Sequence, residues 1–67
     1  MKLHELRQQA HLTQYQLADA VNVTQSAISC WEHGKGAPLR KWRKVMAKHL
    51  HCTVDELEAA IKETMEE

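Results

Sequence analysis

Apolar residues recur along this chain at helical intervals from end to end, and no stretch carries the strict alternation of a strand. Leu3, Leu6 and Ala10 stand at i, i+3, i+7, and Leu17, Ala18 and Val21 at i, i+1, i+4. Ile28 and Trp31 mark the inner side of a third segment. Leu39, Trp42, Met46 and Leu50 form a longer stripe, whose 0, 3, 7, 11 spacing is repeated one helix later by Val54, Leu57, Ile61 and Met65. The pattern predicts five helices near residues 2–10, 14–21, 25–32, 39–50 and 54–65, hence an all-α fold.

The polar residues at the breaks mark where helices begin and end. Thr13-x-x-Gln16 and Thr53-x-x-Glu56 fit a capping box, in which the hydroxyl accepts from an orphan N–H and the residue three on reciprocates. Thr24 stands where an N-cap is needed after Asn22-Val23. Gly34, with Gly36 and Pro38 behind it, ends the third helix and opens the fourth. The turn between the second and third helices needs one residue at positive φ. Asn22 suits it, because a short amide tolerates the left-handed region. Ala18 is small where two short helices must cross closely. Residues 13–34 therefore spell two short helices and a tight turn, and the second helix, opening at Thr24-Gln25-Ser26, turns small polar side chains outward. A helix of that kind is one of the few devices that read base edges in a DNA groove.

Sixty-seven residues make one domain, 1–67, with little core to spare and no room for a deep substrate cleft. No nucleophile–base pair, phosphate loop or carboxylate dyad occurs, so neither an enzyme, a cofactor nor a small-molecule substrate is expected. Cys30 and Cys52 are too few for a secreted disulfide scaffold, and no signal sequence precedes them. No apolar run is long enough for a membrane. A soluble, cytoplasmic domain is the expectation. Five histidines and two cysteines raise the question of a metal. The densest cluster, His49-x-His51-Cys52, lacks the paired four-ligand spacing of a finger or ribbon, so no metal site is expected.

Formal net charge is zero, which by itself argues against a nucleic-acid partner. The distribution reverses that impression. Between His33 and His51 lie Lys35, Arg40, Lys41, Arg43, Lys44 and Lys48 with no acid. From Cys52 onward lie Asp55, Glu56, Glu58, Glu63, Glu66 and Glu67 against Lys62 alone. A basic block thus follows the two-helix motif, and an acidic segment follows the block.

Thr13-Gln14, Leu17-Ala18, Thr24-Gln25, Ile28-Ser29, Glu32, Gly34, Lys35 and Pro38 together resemble the motif of the phage Cro and CI-type helix-turn-helix family, the 434-repressor-like group. Ala47, Leu50 and Val54-Asp55-Glu56-Leu57 are similar to that family's fourth and fifth helices, so the resemblance covers nearly the whole chain. Glycine is usual in the family at Asn22, His11 and His51, a small or aliphatic residue at Cys52, and leucine or a lysine-type residue at Cys30. The resemblance implies a five-helix lambda-repressor-like fold whose third helix lies in the major groove of double-stranded DNA.

On that footing Gln25 is the leading base reader, since its amide matches adenine N6 and N7 as a bidentate pair. Ser26 faces the groove, Ser29 faces either groove or phosphate, and Cys30, one turn after Ser26, is placed to touch a thymine methyl. Oxidation of Cys30 is the alternative use of that position. Gln14 opens the second helix, where backbone N–H groups favour a phosphate, and it also braces Gln25. Thr24, His33, Lys35, Arg40, Lys41 and Arg43 complete the backbone set, while Tyr15 is either a phosphate-contacting hydroxyl or a surface aromatic. Lys44 and Lys48 are solvated. Arg7 and Glu32 form an ion pair tying the first helix to the end of the third. Trp31 and Trp42 are core aromatics, unless Trp42 lies at a subunit interface. The expected function is transcriptional regulation by a Cro-type repressor that binds a palindromic operator as a homodimer. The alternative is an antitoxin-type interaction module that masks a toxin through its last two helices and also binds its own operator.

Overall fold

The computed structural model describes residues 1–66, so Glu67 of the acidic segment lies outside the described residues. Five helices follow in order: α1 (Leu3–Gln9), α2 (Gln14–Val21), α3 (Gln25–Glu32), α4 (Arg40–His49) and α5 (Val54–Met65). They agree with the periodicity to within a residue or two at each end. α2 packs on α3 and α4, while α5 packs on α1 and α4 and also meets α3.

Local chemistry explains the helix starts. The Thr13, Thr24 and Thr53 hydroxyls accept the backbone N–H groups of Gln16, Ala27 and Glu56 at 3.1, 3.2 and 3.0 Å. The carboxamide of Gln16 and the carboxylate of Glu56 return the bond to the backbone N–H of Thr13 and Thr53, each at 2.9 Å. This acceptance from the Thr53 backbone, then its side chain, holds the Glu56 carboxyl below its ordinary value. Glu5 does the same for the Lys2 backbone N–H at 2.8 Å, and that bond is the main reason its carboxyl is also lowered.

The helix ends share one device. His11, Asn22, Gly34 and His51 all stand at positive φ, at 59°, 63°, 73° and 55°. In each case the next residue's N–H reaches back five positions to a carbonyl: Leu12 to Arg7, Val23 to Ala18, Lys35 to Cys30 and Cys52 to Ala47. That bond satisfies a carbonyl the helix would otherwise leave open. Histidine at two of these positions adopts the left-handed conformation despite its Cβ, because the packed helices on either side require the reversal. Gly34 has a second reason for being glycine: a Cβ there would lie 2.9 Å from the Thr64 carbonyl oxygen of α5.

The core gathers Leu3, Leu6, Leu17, Ala18, Val21, Ile28, Met46, Ala47, Leu50, Leu57, Ala60 and Ile61, with Ala10, Leu12, Val23, Trp31, Ala37, Trp42 and Cys52 packed around it. Three residues of the predicted apolar stripes depart from it. Leu39 is 62% exposed and Val54 and Met65 are also exposed. Each lies at or beyond a helix end, where the stripe runs past the neighbour it would pack against. Thr64 takes an inner position instead. Its hydroxyl donates to the Ala60 carbonyl and accepts the Leu3 N–H, both at 2.8 Å, so a polar side chain is buried with its bonds made. This joins the start of α1 to the end of α5, and the Met1 amino terminus pairs with Glu63 beside it.

Candidate nucleic-acid interface

α3 is an amphipathic helix with one side left open. Ile28 is fully buried and Trp31 half-buried, whereas Ser26, Cys30 and, just past the helix, His33 are exposed. Spacing of i, i+4 and i+7 puts these three on one outward stripe. Gln25 and Ser29 lie half-buried along one edge of that stripe. The His33 ring is held by a 2.7 Å hydrogen bond between Nδ1 and the Ser29 carbonyl oxygen, in which the ring nitrogen is the donor.

Behind the stripe runs a hydrogen-bonded series that starts at a part-buried ion pair between α1 and α3. Arg7 donates through Nε to Glu32 Oε2 at 2.6 Å and through Nη2 to Oε1 at 3.2 Å, and its Nη1 donates to the Leu12 carbonyl at 2.8 Å. The pair is part-buried, with side-chain exposures of 13% for Arg7 and 5% for Glu32. Glu32 Oε1 also accepts from Gln14 Nε2 at 2.8 Å. Gln14 Oε1 in turn accepts from Gln25 Nε2 at 2.6 Å. Residues separated by 11, 18 and 25 positions are thereby joined across α1, α2 and α3. The last member, Gln25, is held at the edge of the open stripe.

The basic block flanks this surface unevenly. Lys35, Arg40 and Lys41 are exposed, in the segment after α3 and at the start of α4. Lys41 places its ammonium 5.0 Å from the centre of the Trp42 ring, while Trp42 itself is half-buried against the core. Arg43 is differently engaged. Its Nε donates to the Pro38 carbonyl at 3.1 Å and its Nη1 to Glu58 Oε2 at 3.0 Å, which ties α4 to α5. Lys44 and Lys48 are exposed farther along α4. At the other edge, Thr24 is exposed and occupied as the α3 cap. Tyr15 is 70% exposed beside Gln14 at the start of α2.

Sequence reasoning anticipated the Arg7–Glu32 pair and the brace of Gln25 by Gln14. It missed the bond from Gln14 to Glu32, although both residues had been singled out. It also missed the Arg43–Glu58 bridge, for which the signal was a basic residue on one stripe edge and an acid on the next helix. Among the described residues no group of three or more His, Cys, Asp or Glu side chains is gathered to hold a metal, and no pocket is formed. Cys52 lies half-buried at the α4–α5 turn, where burial first and the Glu56 charge second push its thiol upward. No helix is long and apolar enough among the described residues to cross a membrane.

Comparison with known proteins agrees with this geometry. The family model described as helix-turn-helix matches residues 3–57. The HTH-type transcriptional activator BcrR of Enterococcus faecalis is 46% identical over 56 residues, covering 84% of this chain and 28% of that protein. The chain thus spans under a third of that relative's length. No solved structure matches the chain at a comparable level.

Proposed function

The chain belongs to the helix-turn-helix family, and from that premise we propose that it regulates transcription by binding double-stranded DNA in a sequence-dependent manner. One observation carries the reading: a short helix with an open polar stripe has its edge residue, Gln25, braced in place by Gln14. A braced carboxamide has lost its rotamer freedom before it meets a base, so less ordering entropy opposes the contact. Gln25, with Ser26, Ser29 and Cys30, enters the major groove. Gln14, Tyr15, Thr24, His33, Lys35, Arg40 and Lys41 lie against the sugar–phosphate backbone. Arg43 joins them only by leaving Glu58. The backbone contacts carry no sequence information but supply most of the affinity.

One such helix contacts few base pairs. Two copies of the chain on a palindromic site, their reading helices about 34 Å apart, give the interface area that specific complexes need. Bound at a promoter, such a pair excludes polymerase sterically, as Cro-type repressors of this family do. A second reading, activation, is favoured by the Enterococcus relative, a longer protein named as a transcriptional activator. Selection of bound sites from random duplex DNA tests the proposal. Enrichment of two half-sites related by a twofold axis and one helical turn apart is expected. Recovery of unenriched sequence contradicts it. A promoter reporter carrying the selected site then separates repression from activation by the sign of the change.

A further inference from the structure

Glu32 lies at the end of α3 farthest from Gln25 in sequence, yet it stands two hydrogen bonds away from it. An ionised carboxylate only accepts hydrogen bonds. The Gln14 atom 2.8 Å from Glu32 Oε1 must therefore be the amide nitrogen, which leaves Gln14 Oε1 pointing toward Gln25. That oxygen, 2.6 Å from Gln25, can only be met by the Gln25 amide nitrogen. The polarity of both carboxamides follows from the single acceptor-only group at the head of the series. Arg7, which donates to both Glu32 oxygens, keeps that group from offering anything else.

We infer that Glu32 is a positioning residue for base recognition: its carboxylate sets the direction of the Gln14 and Gln25 amides and so dictates which base Gln25 accepts. The inference rests on the reading of Gln25 as a base reader. With one Nε2 hydrogen committed to Gln14, Gln25 presents one donor and one acceptor outward. Adenine offers the complement, an acceptor at N7 and a donor at N6, whereas guanine offers two acceptors at N7 and O6. Reversing the series would present both Gln25 hydrogens outward, an edge suited to guanine.

Glu32→Gln brings about that reversal with little change of shape. An amide nitrogen at the Oε2 position would face the Arg7 Nε donor, 2.6 Å away. At the Oε1 position it meets Arg7 only at the longer, 3.2 Å contact and can donate to Gln14 Oε1. Gln14 then donates to Gln25 Oε1. Gln14→Ala is the second variant: it cuts the series while leaving Arg7 and Glu32 paired.

The experiment measures equilibrium binding to two selected duplexes that differ only by A·T or G·C at the position where Gln25→Ala loses preference. The starting protein should favour A·T on the order of ten- to a hundredfold. E32Q should bring the ratio to within about threefold of parity or invert it, and Q14A should also reduce it to within about threefold. Thermal unfolding of each variant separates a lost fold from a lost preference. If E32Q does not fold, Q14A decides alone. Retention of the full A·T preference by Q14A, or by a folded E32Q, overturns the inference while leaving Gln25 as the reader. If Gln25→Ala alters no position, the underlying reading falls as well.

Discussion

Thr64 and Gln25 are both polar side chains held by a different helix, and they end with opposite capacities. The Thr64 hydroxyl, buried between α1 and α5, donates once and accepts once, to Ala60 and from Leu3. Gln25, at the open edge of α3, is fixed by one bond to Gln14 and keeps a donor and an acceptor for something outside the protein. The α1–α5 end uses its polar groups to close the fold, down to Gly34 against the Thr64 carbonyl and the amino terminus against Glu63. The α2–α3 side holds its polar groups still without saturating them. Rigidity with spare hydrogen-bonding capacity is what recognition needs, and saturation is what stability needs.

Glu32 belongs to both regimes, and removing it should have the largest effect. Glu32→Ala strands the part-buried Arg7 guanidinium and should cost about 3–5 kcal/mol in urea unfolding. A loss under 1 kcal/mol would mean the ion pair contributes little to closing the fold. Gly34→Ala attacks the closed end where the turn after α3 meets α5. The strain of a Cβ at positive φ, added to the clash with the Thr64 carbonyl, should cost about 1–3 kcal/mol. Lys35→Ala works the other way: stability should hold within about 0.5 kcal/mol, while the slope of log affinity against log salt falls by about one unit. An unchanged slope removes Lys35 from the phosphate-contacting set.

The smallest effect is the pH dependence of the helix starts. The folded-state values of Glu5 and Glu56 are lowered, by the Lys2 and Thr53 backbone N–H groups first. Their contribution is therefore present above the ordinary carboxylate value and is lost as pH falls through the lowered one. Glu56→Gln, which keeps an acceptor without a titrating proton, should make the acid-side fall in stability shallower. Unfolding midpoints measured across the carboxylate range check this, and parallel curves would contradict it.

The difference between the two regions also explains what could be read from the chain before its fold was seen. Thr13, Thr24, Thr53 and Asn22 act on backbone groups within a few residues, so their roles follow from neighbours in sequence. The Arg7–Glu32 pair and the Gln14–Gln25 brace came from resemblance to a family, since nothing local requires them. The reversals at His11 and His51 were signalled only by the glycine usual there in the resembled family, since histidine itself does not call for positive φ and the packed helices impose it. Leu39, Val54 and Met65 continue an apolar period beyond the point where a neighbour remains to cover them. Thr64 broke the opposite way, since its burial depends on a partner 61 residues distant. The bond from Gln14 to Glu32 required α2 and α3 to be packed, because it spans 18 residues.

The central claim is that the α2–α3 side, extended by the segment through Lys41, receives DNA, and that the α1–α5 end does not. Titration of the ¹⁵N-labelled chain with a selected duplex, followed by amide and Gln side-chain resonances, tests it most directly. Perturbations should concentrate at Gln14, Tyr15, residues 24–35 and residues 40–41, with the side-chain amide of Gln25 among the largest. Signals of α5 from Asp55 to Glu66 should scarcely move. Perturbations centred on α5, with the Gln25 amide unmoved, would contradict the account.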